Sequence, residues 1–169
     1  MAKSALFQLK PLDKCAIQPY FSKRIQLADI IEWTIEQIGH VHLIISTFST
    51  SEEFLRRLDK MKTSLKILHC QMFCDLRAAR KTILLKHFIE SVFDEAFLCE
   101  NHSKVVLLFN DKFHVAIVTS QNQTRGDRYE AGIITTDDFT FDCLNREFCA
   151  MAENSISISQ LNVQSGTNQ

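Results

Sequence analysis

Residues 102–130 read HSKVVLLFNDKFHVAIVTSQNQTRGDRYE and hold the side chains that phosphoryl chemistry needs. His102 and Lys104 stand one residue apart at the start of a strand-like run, so both side chains point to one face. Asn110-Asp111-Lys112 forms the tight turn of a hairpin. That hairpin returns the chain, and Ser120 and Asn122 arrive on the edge where His102 and Lys104 began. Glu130 follows a short polar loop, just before another strand-like run. A neutral imidazole can attack phosphorus and hold the phosphoryl group covalently. Lys and Asn supply donors to the non-bridging oxygens. A carboxylate accepting the other imidazole N–H fixes the ring's tautomer. The scheme calls for no metal and no cofactor.

The elements that must position these groups follow from apolar periodicity. Ser22 opens a helical pattern with Ile25, Ala28, Ile31, Ile35 and Ile38 on one face, and Gly39 closes it. VHLIISTF (41–48) is a nearly unbroken apolar run, as expected of a strand buried on both faces. Thr50 and Glu53 have capping-box spacing ahead of a helix with Phe54, Leu55, Leu58 and Met61 on its stripe. LKILHCQMF (65–73) predicts a second buried strand, and residues 76–93 a third helix with Leu76, Ala79, Ile83, Leu84 and Phe88 inward. This alternation predicts parallel strands with helical crossovers. Short strands follow at 96–100, 104–109, 113–119 and 131–136. A closing helix over 137–151 places Phe141, Leu144, Phe148 and Met151 at helical spacing. The expected fold is α/β, a mixed sheet flanked by helices on both faces. One domain spans 1–155, and residues 156–169 form a flexible polar tail.

With 169 residues, 46% of them hydrophobic, four Gly and two Pro, the chain can bury a core and is neither fibrous nor low-complexity. No apolar stretch is long enough for a membrane helix and the N-terminus lacks a signal-peptide pattern, which leads us to expect a cytoplasmic protein. The six cysteines form no C-x-x-C pair and are expected to be reduced thiols. His69, Cys70 and Cys74 lack a second ligand pair, so a structural zinc site is disfavoured. The net charge of −1 conceals an asymmetry: +1 over residues 1–50, +4 over 51–90 and −6 over 91–169. The basic middle, with Arg56, Arg57, Lys60, Lys62, Lys66, Arg77, Arg80, Lys81 and Lys86, is either a set of solvated helix faces or a positive flank beside a phosphate-rich ligand.

The stretch 102–130 resembles the phospholipase D superfamily, whose hallmark is H-x-K-x4-D followed by a G-S-x-N-type turn and a downstream acidic residue. His102-Ser103-Lys104 matches H-x-K, Ser120-Gln121-Asn122 matches S-x-N, and Glu130 matches the downstream carboxylate. The likeness extends loosely over residues 40–137. It departs where Phe109 stands in the Asp position, with Asp111 two residues on as a supporting candidate, and where Thr119 replaces Gly. The resemblance implies a phospholipase D-like fold and metal-independent phosphodiester hydrolysis through a phosphohistidine. His102, Lys104, Asn122, Glu130 and Ser120 are then the catalytic set, and Lys104, Asn122, Arg125 and Arg128 contact substrate. Family sites use two H-x-K motifs face to face. This chain has one, because His40-Val41-His42 and Lys86-His87 do not repeat the pattern, so a complete site implies a homodimer. Small members of this kind are nucleases, which makes DNA or RNA the expected substrate and leaves no role for a membrane. The alternative is a catalytically inactive module of the same fold that binds nucleic acid or a protein partner. Simpler roles compete at each position: a surface histidine and lysine at 102 and 104, turn chemistry at 120 and 122, and core or structural histidines at 69 and 114.

Overall fold

The computed structural model describes residues 6–78, 83–124 and 126–160. Strands form where the apolar runs predict them: β2 (Val41–Thr47), β3 (Ile67–Asp75), β4 (Glu95–Cys99), β5 (Val105–Phe109), β6 (His114–Thr119) and β7 (Glu130–Thr135). Two more close the sheet at its edges, β1 (Ile17–Ser22) and β8 (Ile156–Ser157). The order is β1-β7-β6-β5-β2-β3-β4-β8. β2, β3 and β4 run parallel and every other pairing is antiparallel, giving the expected mixed sheet.

Helices α1 (Leu27–Ile38), α2 (Glu52–Thr63) and α3 (Lys86–Val92) cover one face, and α4 (Asp138–Glu153) covers part of the other. Strand alternation sorts the side chains between the two layers. Leu43, Ile45, Met72, Leu98, Val106, Leu108 and Ile117 pack beneath the first three helices. Ile44, Phe73, Val105, Leu107 and Ala116 pack against Phe141 and Phe148 of α4. Among the described residues no helix is long and apolar enough to cross a membrane.

Several boundaries differ from the expectation. Ser22 ends β1 instead of opening α1, whose cap is Gln26 in a reciprocal bond with Asp29. α2 is capped by Ser51, whose hydroxyl accepts the Phe54 N–H, and not by Thr50, which lies buried. The helix expected over 76–93 is broken up. β3 extends to Asp75, a 3-10 turn takes Leu76–Ala78, and a turn at Leu85 separates the helical residues Ile83 and Leu84 from α3. Leu84, expected inside, is 86% exposed. Ala79, Arg80 and Lys81 lie outside the described residues. The first residues assigned to a polar tail pair instead with β4, where Leu98 faces Ile156, and Ile158 is buried. Residues 161–169 lie outside the described residues. His69 and Cys70 are successive residues of β3 and so point to opposite faces. Cys70 is buried, its thiol donating to the Val92 carbonyl, while the His69 ring faces His42.

β1 survives at the sheet edge despite Pro19, whose missing N–H an edge tolerates. Its inward residues are specific. Gln18 closes a two-way amide pairing with the Lys10 backbone. Tyr20 lies across from Gly132, and any Cβ there would sit 2.5 Å from the phenol ring. Gly132→Ala is therefore expected to cost about 1–3 kcal/mol of unfolding free energy, measured by urea denaturation; a neutral effect would refute the ring-over-glycine packing.

Candidate active site

One end of the sheet gathers the candidate groups, because alternating strand directions bring six chain segments there. β2 and β3 finish there, β5 begins, β6 finishes, β7 begins and β1 finishes. The parallel strands β2 and β3 present their carboxyl ends on this side, beside the point where strand direction reverses between β2 and β5. In open α/β sheets such an end is where ligands bind.

His102 rides on the segment between β4 and β5, and a buried chain of hydrogen bonds fixes that segment. Asp75, wholly buried at the end of β3, accepts the Asn101 N–H at 3.1 Å. Asn101, also buried, donates its side-chain amide to the carbonyls of Thr47 and Phe73. Its carbonyl oxygen takes both the N–H and the hydroxyl of Ser103, at 2.9 and 2.6 Å. With the Ser103 proton so used, the Ser46 hydroxyl donates to Ser103 across 2.8 Å. The Ser46 oxygen in turn receives the Val105 N–H. His102, between two anchored neighbours, projects outward. Its exposed ring meets the edge of Phe48 at 5.4 Å between centroids.

Phe48 joins this segment to the β6–β7 loop. Its N–H donates to Asn122 Oδ1 at 3.3 Å, and among the described residues the two Nδ2 protons have no acceptor. The loop is stitched to the chain after β2 by bonds from the Gln123 N–H to Ser49 and from Ser51 to the Gln123 carbonyl. Lys104 donates one ammonium proton to the His102 carbonyl at 2.8 Å, and among the described residues its other two have no acceptor. Its own carbonyl receives the Thr119 N–H, tying the start of β5 to the end of β6.

Thr119, where the resemblance expects Gly, has a structural task. Its hydroxyl accepts the Gln121 N–H and donates to the Ala131 carbonyl, so the 2.5 Å contact with Tyr20 uses the phenol proton. Burial, together with the nearby negative charge of Glu130, pushes the Tyr20 phenol up to about 12 despite that bond. The phenol thus stays a donor at any physiological pH.

His102 and Asn122 therefore flank Phe48, one on its ring and the other on its backbone, while Lys104 binds back to the His102 carbonyl. Ser120 and Glu130 form a separate group beside them. The Ser120 hydroxyl donates to Glu130 Oε2 and accepts the Ala131 N–H, so its proton is not available to a phosphate. No hydrogen bond joins Glu130 to His102 among the described residues. Asp111 sits in the β5–β6 turn, a full strand away from His102. Phe109 at the end of β5 packs on His42 and on Phe141 of α4, where no phosphate-facing carboxylate could stand. Arg128 is exposed and makes no ion pair among the described residues; Arg125 lies outside them. His114 stacks on Phe141 and hydrogen-bonds Asp138 at 2.9 Å, which makes it structural.

Sequence reasoning missed two residues at this end, Phe48 and Asp75. Their signal was position alone, at the carboxyl ends of the two central parallel strands. The basic residue after Asp75, Arg77, also belongs here. Its guanidinium and its backbone N–H bind Asp75 at 2.7–3.1 Å. It also lies 6.0 Å over the Phe48 ring.

No family model matches the chain, and no curated protein does. Solved structures do match. Nuc from Salmonella typhimurium, a phospholipase D family member, superposes with a TM-score of 0.63 at 15% identity, over 83% of this chain and 96% of Nuc. The fold is that of the phospholipase D family. NucT from Helicobacter pylori matches at TM-score 0.62 and 15% identity, over 83% of this chain and 99% of its own. Phosphatidylserine synthase from Haemophilus influenzae matches at 0.63 and 14%, over 86% of this chain and 41% of its own. A phospholipase D-like fold is thus shared with chains of this size and with chains more than twice as long.

The Arg77 guanidinium and two backbone N–H groups hold the Asp75 carboxyl below its ordinary value. A carboxyl depressed in this way stabilises the fold above the ordinary carboxylate range, and that contribution is lost as pH falls through its folded value. Asp75→Asn is expected to cost about 2–3 kcal/mol at pH 7. The gap from wild type should narrow below about pH 4 in urea denaturation, whereas a gap independent of pH would contradict the ionised network.

Proposed function

We propose that the chain is a metal-independent phosphodiesterase, an endonuclease hydrolysing DNA or RNA through a phosphohistidine in a site shared by two copies. The observation that carries this reading is an exposed imidazole on a rigidly anchored segment, with spare N–H donors of Lys104 and Asn122 on the same sheet end. An anchored nucleophile with preplaced donors is what positioning and charge stabilisation require. The names of the structural neighbours concern phospholipids as well as the phospholipase D family at large, so the fold leaves the substrate open. Nucleic acid is favoured by the single motif and the size shared with Nuc and NucT.

In the proposed reaction a nitrogen of His102 attacks phosphorus and the P–O bond to the leaving oxygen breaks. His102 of the partner subunit gives its proton to that oxygen. It then takes a proton from water, whose oxygen displaces the first His102 and restores both rings. Lys104 and Asn122 bind the non-bridging oxygens, with Arg125 and Arg128 along the strand. Glu130 and Ser120 act as a strut: their mutual bond sets the β6–β7 loop and hence Asn122.

The surface that would receive the second copy is the part of the sheet α4 leaves bare. Ile17, Phe21, Ile133 and Val118 share one face of β1, β7 and β6 by their register, and Phe21 and Ile17 are 68% and 62% exposed. Apolar clusters this open on a soluble surface mark interaction sites. Val118 lies two residues before Ser120, so this face runs up to the site.

The second reading, an inactive binding module, draws on Phe109 and on Glu130 being engaged by Ser120. Cleavage of DNA or RNA in excess EDTA, reduced at least about 10³-fold by His102→Ala, supports the enzyme. Salt-sensitive binding without turnover, indifferent to that change, would favour the module. Sedimentation checks the pairing: wild type is expected as a dimer, and Ile133→Arg as a monomer without cleavage. A monomeric wild type that cleaves would remove the shared site.

A further inference from the structure

We propose that Arg77 is a specificity-determining residue that holds the phosphate next to the scissile one, so that the site prefers a polymer to a lone diester. The proposal rests on the phosphodiesterase reading above and adds a subsite that no H-x-K or S-x-N position supplies.

Phe48 links the two groups. The His102 ring meets it at 5.4 Å and the Arg77 guanidinium carbon lies 6.0 Å from its centre. The reacting imidazole and a permanent cation thus border one ring. Arg77 is held in place. Its Nε and Nη2 fork onto the Asp75 carboxylate at 3.0 and 3.1 Å, and its backbone N–H binds the same group at 2.7 Å. Asp75 is buried while the Arg77 side chain is 71% exposed, so the charges of this pair are separated radially. The carboxylate is inside, satisfied by N–H donors, and the guanidinium is at the surface. Nη1 makes no hydrogen bond among the described residues, and it carries two N–H groups suited to a phosphate oxygen. Three other cations of the basic middle segment are committed elsewhere. Arg57 pairs with Asp29 and Glu32, Lys62 with Asp94, and Arg56 with Glu52. Glu100 lies near enough to act on Arg77 electrostatically, so the approach of a phosphate must displace that influence.

A guanidinium fixed by a buried carboxylate loses little side-chain entropy on binding, which is why it can discriminate. A single phosphodiester occupying His102, Lys104 and Asn122 has nothing to place at Arg77. An oligonucleotide has its next phosphate.

The test compares kcat/KM of the full chain on bis(p-nitrophenyl) phosphate and on an oligonucleotide, for wild type, Arg77→Gln and Arg77→Lys, all in EDTA. Arg77→Gln is expected to lower the preference for the oligonucleotide about tenfold, the size of one charge-assisted contact. It should do so through KM, with the logarithmic salt slope of oligonucleotide binding reduced by about one. Arg77→Lys should recover part of both. Equal losses on the two substrates would assign Arg77 a purely structural role beneath Asp75 and overturn the proposal, as would no change on either. A wild type that hydrolyses both substrates while Arg77→Gln keeps its preference removes the subsite alone. A wild type that neither hydrolyses nor binds them removes the phosphodiesterase reading and the subsite together.

Discussion

The buried carboxylate of Asp75 is the constraint on which the candidate site depends. It sits where no water competes, and a carboxylate there is tolerable only if N–H groups saturate it. Those donors come from Arg77 and from Asn101, so one charge fixes both the turn after β3 and the segment that carries His102. Its polarity also propagates. Asn101 uses its N–H on Asp75 and offers its side-chain oxygen to Ser103, whose committed hydroxyl then takes the proton of Ser46. Each hydroxyl in the chain has one direction open to it. A segment without regular secondary structure thereby becomes as determined as the strands on either side.

Much of the scaffold was legible because burial is periodic. The strands β2 through β7 and the helices α1, α2 and α4 announce themselves by apolar spacing, and the two-layer division follows from alternation. β1 was not legible. Pro19 argues against a strand, and the inward positions Gln18 and Tyr20 are polar. Only the Lys10 backbone and Gly132, distant in sequence, make those residues fit. The departure from a continuous helix at 76–78 has a similar origin. Leu76 and Leu84 have helical spacing, but the chain must first turn at Asp75 to serve the network, and a local pattern contains no such demand.

The candidate residues were legible as neighbours at one end of the sheet and not as a set of bonds. His102, Lys104, Ser120, Asn122 and Glu130 do come to one end of the sheet, because a hairpin between two runs of known length returns the chain there. Which of them touch depends on competition for single protons. Ser120 has one and gives it to Glu130; Thr119 has one and gives it to the Ala131 carbonyl. Spacing could not rank those choices. The departures from the family pattern read differently once packed. Thr119 receives the Tyr20 phenol, and Phe109 joins the layer under α4, so both are filled by core requirements and not left vacant.

The two margins of the sheet differ in kind. One ends in β1, whose Pro19 has no N–H to offer an incoming strand; the other ends in β8, only two residues long. Neither margin provides the long row of free amides that invites further strands to join. Among the described residues a broad face is therefore better suited than either margin to the pairing proposed above. A face that meets its own copy about a twofold axis is consumed by the meeting, so a pairing of that kind closes at two.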